Sequence, residues 1–342
     1  MLAYWVMVFH LVDIPVIGGY AVYAFFVLSG FLMTAIMQES YGYSARGLSR
    51  YALNRFLRLY PAYWFVLCIT VILLLLTDQV YIRAYKDVLF LPESVGQFLA
   101  NASMIYPSYF PAEFEPRLSP PTWALTIELI FYATIGLGAS KTIKRTTVWL
   151  AASLTYYAAT YIFDLNGYHR YGAIPAASLP FALGALAYHF RKEAKSLGRL
   201  QNRSTALLLV AAYIANALLF AGIALMFWHP TRPYLLDAGK YLNIILATAT
   251  VVALYWHAPP DWLKRIDKYL GDLSYPLYLI HWQVGALVSY LLYNAPTRGR
   301  SSEGLLSLIL ATVLALGIAL AMSRYLDRNI EKIRVQVRSK SN

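Results

Sequence analysis

Long apolar stretches separated by short basic segments constrain the fold of this chain more than any other feature. Hydrophobic residues make up 59% of its 342 residues and charged residues only 13%, which is more apolar side chain than one soluble core of this size can bury. Stretches of roughly 17 to 25 apolar residues have the length of membrane-spanning helices. The sequence therefore predicts an all-α polytopic membrane protein with about ten transmembrane helices. These lie near residues 1–16, 20–37, 61–77, 122–139, 146–163, 172–190, 204–228, 241–258, 273–294 and 304–323.

The positions of the basic residues predict the orientation of the chain. If the segment after the second stretch is cytoplasmic, alternation places five segments inside, and these hold 21 of the 29 Lys and Arg residues. This bias predicts a multi-pass protein of the inner (cytoplasmic) membrane with its C-terminus in the cytoplasm. The net charge of +12 follows from the same distribution, because the basic residues lie in short segments between apolar stretches. We therefore expect a lipid bilayer, and no nucleic acid, as a partner. The five segments are 38–60, 140–145, 191–203, 259–272 and the tail from 324.

The chain has the organisation of one membrane domain, residues 1–326, followed by a basic cytoplasmic tail, residues 327–342. The single cysteine, Cys68, lies inside an apolar stretch, so we expect a buried packing thiol, no disulfide and no metal site. The one long outer connection, residues 78–121, contains six prolines. It either covers an acceptor site or caps the helix ends, and the sequence leaves both open.

Ionisable residues inside the apolar stretches are candidates for chemistry, because a charge within a bilayer is costly and persists mainly where it is paired or functional. His10 lies near the outer end of the first stretch, and Asp13 follows one turn later. Glu128 lies about 9 Å into its stretch from the outer side, so it can share a depth with His10. His281 lies about 12 Å from the inner edge of its stretch, near the midplane, and is less obviously part of the same site.

A neutral imidazole can take a proton from a sugar hydroxyl that attacks an acyl carbon, and a carboxylate can orient the ring. His10 is the candidate base, with Asp13 or Glu128 as the orienting group. The alternatives are a packing histidine bonded to a backbone carbonyl, a solvated helix end for Asp13, and an interhelical hydrogen bond of a protonated Glu128. The residues by themselves leave these alternatives open.

Four arginines precede the stretch that begins at Pro61. Arg46 and Arg50 are explained by orientation. The spacing of Arg55 and Arg58 places both on one face of a helix, where two guanidinium groups can bind a phosphate or diphosphate. A lipid phosphate fits this spacing as well as a phosphate-rich cytoplasmic substrate does.

Four motifs, in the same order along the chain, resemble those of acyltransferase family 3, a family of multispan membrane O-acyltransferases. The first is Phe-Phe-Val-Leu-Ser-Gly-Phe-Leu at residues 25–32, and the second is the arginine pair before Tyr60 and Pro61. The third is Trp-Ala-Leu-Thr-Ile-Glu at 123–128, followed by Phe131 and Tyr132. The fourth is Gly-Asp-Leu-Ser-Tyr-Pro-Leu-Tyr-Leu-Ile-His-Trp at 271–282.

The resemblance implies an enzyme that transfers an acyl group, which we expect to be acetyl, from cytoplasmic acyl-CoA to a hydroxyl of a cell-surface or secreted carbohydrate. It implies a catalytic role for His10 and a donor-side role for Arg55 and Arg58. Glu128 matches the acidic position of the family, with its role open. Two other functions fit the residues: a transporter or flippase of a lipid-linked glycan, in which the buried His and Glu couple protons, and an inactive membrane scaffold.

One departure from the family pattern lies at the start of the chain. The family carries an arginine roughly three helical turns before the histidine of the first span, a position that falls before Met1. The first stretch is also only about 24 Å long as a helix, short of a hydrocarbon core of about 30 Å. We therefore expect the first helix to be truncated and the native start to lie upstream.

Overall fold

The computed structural model describes residues 1–192, 203–257 and 261–339, and every regular element in them is helical, which confirms the predicted all-α class. The α-helices are numbered in chain order: α1 Leu2–Val12, α2 Ile17–Ile36, α3 Ala45–Leu76, α4 Gln79–Tyr85, α5 Val95–Ser103, α6 Trp123–Gly136, α7 Ile143–Ile162, α8 Ser178–His189, α9 Arg203–Met226, α10 Arg232–Tyr255, α11 Asp261–Tyr293, α12 Ser302–Met322 and α13 Arg328–Ser339. Short 3₁₀-helices and π-helical turns join some of them: Met37–Tyr41, Pro111–Glu113, Pro120–Thr122, Gly167–Arg170, Ile174–Ala177 and Ser323–Asp327.

Within the described residues, five helices are long and apolar enough to cross a membrane. Each contains or overlaps one of the predicted stretches, and the predicted number of about ten spans stays a prediction. The five are Ile17–Tyr41, Ala45–Leu76, Arg203–Met226, Arg232–Tyr255 and Ser302–Val337.

The basic segments are more helical than the sequence suggested. The expectation of a loop over residues 38–60 was wrong, because α3 starts at Ala45 and carries all four arginines. In the same way α11 begins inside the expected loop 259–272, and helix continues through the tail to Ser339. Arg, Leu and Ala are good helix formers, so apolar and basic parts join into helices longer than a bilayer is thick. Parts of segments 191–203, 259–272 and 327–342 lie outside the described residues.

Two further expectations differ from the structure. The stretch 172–190 is not one helix: it begins with a 3₁₀-helix that contains Pro175, and α8 has only 12 residues, about 18 Å. Cys68 is exposed on α3 rather than buried. An apolar stretch without polar residues gives no periodic signal of which side faces inward, so its sequence does not reveal the buried side.

The helices group into two compact units that interleave along the chain. The first contains Met1–Ile14, Ala52–Thr126 and the described residues of Ile266–Lys340. It therefore holds α1, α4, α5, α12, α13 and most of α3 and α11. The second contains Pro15–Tyr51 and the described residues of Ile127–Arg265, with α2, α7, α8, α9, α10 and most of α6.

Close packing of α2 against α8 organises the second unit. Gly30 lies directly over the backbone of Phe181, and Gly184 lies directly over the backbone of Val27. A β-carbon at either glycine would clash with the facing carbonyl oxygen. Small residues allow helix backbones to approach in this way. The Ser-Gly pair of the first motif thus has a packing role.

The connection between α3 and α6 is an ordered part of the first unit. The buried Arg117 donates to the carbonyl oxygens of Ala112, Phe114 and Pro120, the latter two at 2.6 and 3.1 Å. Asn101, also buried, donates to the carbonyl of Pro116 at 2.8 Å. These bonds satisfy the backbone of an otherwise irregular segment and fix its course.

Candidate active site

The side chains of His10 and His281 are in direct contact. His10 Nδ1 and His281 Nε2 are 2.8 Å apart, a hydrogen-bond distance. The two imidazole planes are 6° from parallel and their centroids are 5.0 Å apart, so the rings meet edge to edge through this bond. His281 is fully buried on α11, whereas His10, at the end of α1, is half-buried. The contact therefore joins a fully buried histidine to one that is partly exposed.

A backbone carbonyl sets the tautomer of His281, and His281 in turn sets the tautomer of His10. His281 Nδ1 lies 2.8 Å from the carbonyl oxygen of Tyr278, which can only accept. In the neutral ring, Nδ1 of His281 therefore carries the hydrogen and Nε2 carries the lone pair. His10 Nδ1 must then donate to His281, which leaves the lone pair of His10 on Nε2. The hydrogen bonds from Tyr278 through His281 to His10 thus leave Nε2 of His10 able to accept a proton.

Asp13 lies beside this pair but is bonded to an arginine. Its carboxylate accepts from Arg298 Nη1 at 2.9 Å, and the same nitrogen lies 3.3 Å from the backbone carbonyl oxygen of His10. Asp13 ends α1 in a left-handed conformation with φ of 54°. The ion pair is half exposed, with side-chain exposures of 35% for Arg298 and 54% for Asp13. Asp13 thus stabilises the end of α1, which carries His10, while His281 sets the tautomer of His10 without a carboxylate.

An aromatic ring and a second cation complete the surroundings of His10. The ring centroid of Trp282 lies 5.0 Å from that of His10. Lys86 Nζ lies 5.5 Å from the Trp282 ring and 2.5 Å from the carboxylate of Asp87. Burial raises the pKa of Asp87, but the hydrogen bond and charge of Lys86 outweigh this and lower it, so Asp87 stays ionised near neutral pH. Lys86 is thereby held at the edge of the histidine pair.

The ordered connection is attached to α11 close to His281. Ser119 donates to the carbonyl of Leu279 at 2.9 Å, and Tyr278 donates to the carbonyl of Pro121 at 2.7 Å. Gln283 donates to the carbonyl of Leu118 at 2.9 Å. These bonds hold the turn of α11 that supplies the carbonyl partner of His281.

The same helix also contacts the arginine motif. The hydroxyl of Tyr275 donates to the carbonyl of Leu59 at 2.9 Å, next to Arg58 on α3. Tyr275 precedes His281 by six residues, or about 9 Å along the helix axis. One helix, α11, therefore contacts the arginine turn with one residue and His10 with another. His10, the arginine pair and His281 all belong to the first unit.

Arg55 is bonded to its neighbour and faces the C-terminal helix. Its Nη2 donates to Oδ1 of the buried Asn54 at 2.9 Å. The same oxygen lies 3.4 and 3.3 Å from Nε and Nη2 of Arg334 on α13. Arg58 is half-buried, and its charge acts on Asp327. The arginine pair is thus enclosed by polar residues of the chain's last turns.

Glu128 lies in the second unit and bonds two hydroxyl groups. Its Oε1 accepts from Ser29 at 2.5 Å and from Tyr132, one turn later on α6. The Ser29 bond joins the first motif to the third across two helices. The bond from Ser29 on α2 to Glu128 on α6 is an interhelical hydrogen bond in which Glu128 accepts. His10 belongs to the other unit.

A buried charge cluster in the second unit had no signal in the sequence. Asp237 accepts from Arg170 Nε at 2.7 Å, from Lys240 Nζ at 2.8 Å and from Tyr161 at 2.9 Å. Burial lowers the pKa of Arg170, but the hydrogen bond and charge of Asp237 outweigh this and raise it. The one carboxylate pairs with both cations and links their segments, so the cluster stabilises the packing while keeping a net charge of +1.

Three residues of the candidate site were missed by reasoning from the sequence. His281 was noted but separated from His10, and Arg298 and Arg334 were counted only as basic residues. Only the fourth motif contained a signal for a site residue, because its histidine, His281, lies next to a tryptophan within an apolar stretch. No local pattern links residues almost 300 positions apart.

A family model described as an acyltransferase domain matches residues 1–324 of the chain. No curated protein and no solved structure matches it. The matched region includes all four motifs, the histidine pair and the arginine pair, and the long apolar helices agree with a membrane location. The chain belongs to acyltransferase family 3 and is a membrane acyltransferase.

Proposed function

We propose that this protein transfers an acyl group, acetyl by preference, from cytoplasmic acyl-CoA to a hydroxyl of a cell-surface or secreted carbohydrate. The observation that carries the proposal is the chain of hydrogen bonds from the Tyr278 carbonyl through His281 to His10. It leaves a lone pair on Nε2 of a half-buried histidine, as a general base requires.

In the reaction, His10 Nε2 takes the proton of the acceptor hydroxyl as its oxygen attacks the carbonyl carbon of the thioester. A C–O bond forms, the C–S bond breaks, and the sulfur leaves with the electron pair. The proton on His10 then passes to the sulfur, so coenzyme A leaves as a thiol and the histidine is restored. His281 keeps the His10 ring in one tautomer and orientation throughout.

Arg55 and Arg58 are the proposed contacts for the phosphates of acyl-CoA. Guanidinium groups bind phosphate oxygens in pairs, and both arginines lie on the turn of α3 that contacts α11 at Tyr275. His281 lies about 9 Å further along α11. This spacing supports a donor that is bound by its phosphates at one end and presents its thioester towards His10 at the other.

The topology we propose has ten spans in the inner membrane and a cytoplasmic C-terminus. The concentration of Lys and Arg in the predicted inner segments supports it. The arginine pair then faces the cytoplasmic acyl-CoA pool. The connection between α3 and α6 then lies on the opposite side, attached to the helix of His281, where it can contact the carbohydrate.

Membrane vesicles with and without the protein test the proposal when they are given acetyl-CoA labelled in the acetyl group. We expect label on the glycan, in a form released by mild base as an ester is, only when the protein is present. Movement of an unlabelled lipid-linked glycan across the membrane, with no ester formed, would instead support a transporter.

A further inference from the structure

The C-terminal helix α13 brings a third arginine to the proposed donor site. Arg334 side-chain nitrogens lie 3.3 and 3.4 Å from Oδ1 of Asn54, the same oxygen that accepts from Arg55 at 2.9 Å. Asn54 also donates to the backbone carbonyl of Arg334 at 3.3 Å. The helix is therefore fixed on α3 at the arginine motif.

Two guanidinium groups that share one neutral oxygen repel each other, because the amide itself supplies no negative charge; Glu331 pairs with Arg334, and Asp327 lies close enough for the charges of Arg58 and Arg334 to act on it. Among the described residues, the buried Nε of Arg55 has no hydrogen-bond partner. An anion with several oxygens can bond both groups and remove the repulsion, as phosphates do in arginine clusters.

A carboxylate that pairs with Arg334 is not deeply buried. Glu331, one turn earlier on α13, forms an ion pair with Arg334, with 55% of the Glu331 side chain exposed and 15% of the Arg334 side chain. An exposed carboxylate is screened by water and holds its partner weakly. Glu331 can therefore yield Arg334 to a stronger anion.

We propose that Arg334 is a phosphate-binding residue of the donor site, which it forms together with Arg55. The ligand class is the phosphate or diphosphate of acyl-CoA, so the inference rests on the proposed function. Arg334 lies beyond the residues that match the family domain. The tail is thus a part of the binding site in this chain.

Binding of coenzyme A to the purified full-length protein in detergent, measured by calorimetry, tests the proposal. For Arg334→Ala we expect Kd to rise about tenfold, equivalent to about 1.4 kcal/mol. Arg334→Lys should recover part of the loss, because it keeps the charge but not the paired donors. Arg328→Ala, at an exposed position of the same helix, should bind as the natural protein does.

Two further variants separate ligand binding from helix anchoring. Glu331→Gln breaks the same ion pair but keeps the guanidinium group, so it should bind coenzyme A at least as tightly as the natural protein. Arg55→Ala combined with Arg334→Ala should cost less than the sum of the single changes if both bind one phosphate. Additive effects, or weakened binding in Glu331→Gln equal to that in Arg334→Ala, would overturn the proposal.

A wrong role for Arg334 can be distinguished from a wrong proposed function. If the natural protein transfers acyl groups and Arg334→Ala binds coenzyme A unchanged, only the role of Arg334 is wrong. If the natural protein binds no coenzyme A and transfers no acyl group, the proposed function itself is wrong.

Discussion

His10 and His281 are hydrogen-bonded at 2.8 Å, although 271 positions separate them in the chain. Because neutral His281 donates its one N–H hydrogen, on Nδ1, to a backbone carbonyl, its Nε2 can only accept, and the direction of the bond from His10 is fixed. His10 is therefore oriented by an uncharged group. The buried His281 occupies the position that a carboxylate often takes beside a catalytic histidine.

This relationship predicts different effects for two substitutions at His281. His281→Phe removes the acceptor, so kcat for acyl transfer should fall about 10- to 100-fold, as when a metal-bound histidine loses the group that orients it. His281→Gln keeps an acceptor and should retain more activity. The KM for acetyl-CoA should change little in both. Equal activity of the phenylalanine variant and the natural protein would remove His281 from the mechanism.

Substitutions of Glu128 should distinguish its structural role from a catalytic one. Glu128→Ala leaves the hydroxyls of Ser29 and Tyr132 without their acceptor, at a cost of about 1–3 kcal/mol each, and the midpoint of thermal unfolding in detergent should fall. Glu128→Gln keeps an acceptor oxygen and should stay close to the natural stability. If activity disappears in Glu128→Gln while the midpoint is unchanged, the carboxylate takes part in catalysis.

The contact of α2 with α8 should be sensitive to one added methyl group. Gly30→Ala places a β-carbon against the carbonyl of Phe181, so we expect a loss of about 1–3 kcal/mol in stability, measured by thermal unfolding. Gly222→Ala, in α9, meets no atom within 4 Å and serves as the matched control. Equal midpoints for the two variants would contradict the close approach of the helices.

The buried charge cluster should depend on its single carboxylate. Asp237→Asn leaves Arg170 and Lys240 buried without a counter-ion, and breaking such a cluster typically costs about 3–5 kcal/mol. Expression and the midpoint of unfolding should both drop. Asp164→Asn, at an exposed position, should have neither effect. A stable Asp237→Asn protein would mean that water or lipid reaches the cluster.

Hydrophobicity and charge predicted the helical class and the membrane location. Long apolar stretches are favourable in lipid, and a backbone in lipid must satisfy its own hydrogen bonds, which a helix does. The pairing of His10 with His281 was not predicted, since depth was counted from an assumed helix edge at residue 273. In the structure α11 begins twelve residues earlier, at Asp261, and nothing in the sequence marks where a bilayer would start along it.

The arginine motif shows the same limit. The spacing of Arg55 and Arg58 predicted a shared helical face, which α3 provides. Their neighbours could not be predicted, because Arg334 and Tyr275 arrive from distant helices through tertiary packing. Periodicity describes one helix at a time, and the surroundings of the arginine motif are formed by three, α3, α11 and α13.

Acyl transfer by the purified protein tests the central claim most directly. With acetyl-labelled acetyl-CoA and a carbohydrate acceptor, His10→Ala should lower kcat at least about 100-fold, because a general base contributes about 10²- to 10⁴-fold. His229→Ala, at an exposed histidine, should leave kcat unchanged. A His10→Ala protein that transfers acetyl at the natural rate would contradict the account.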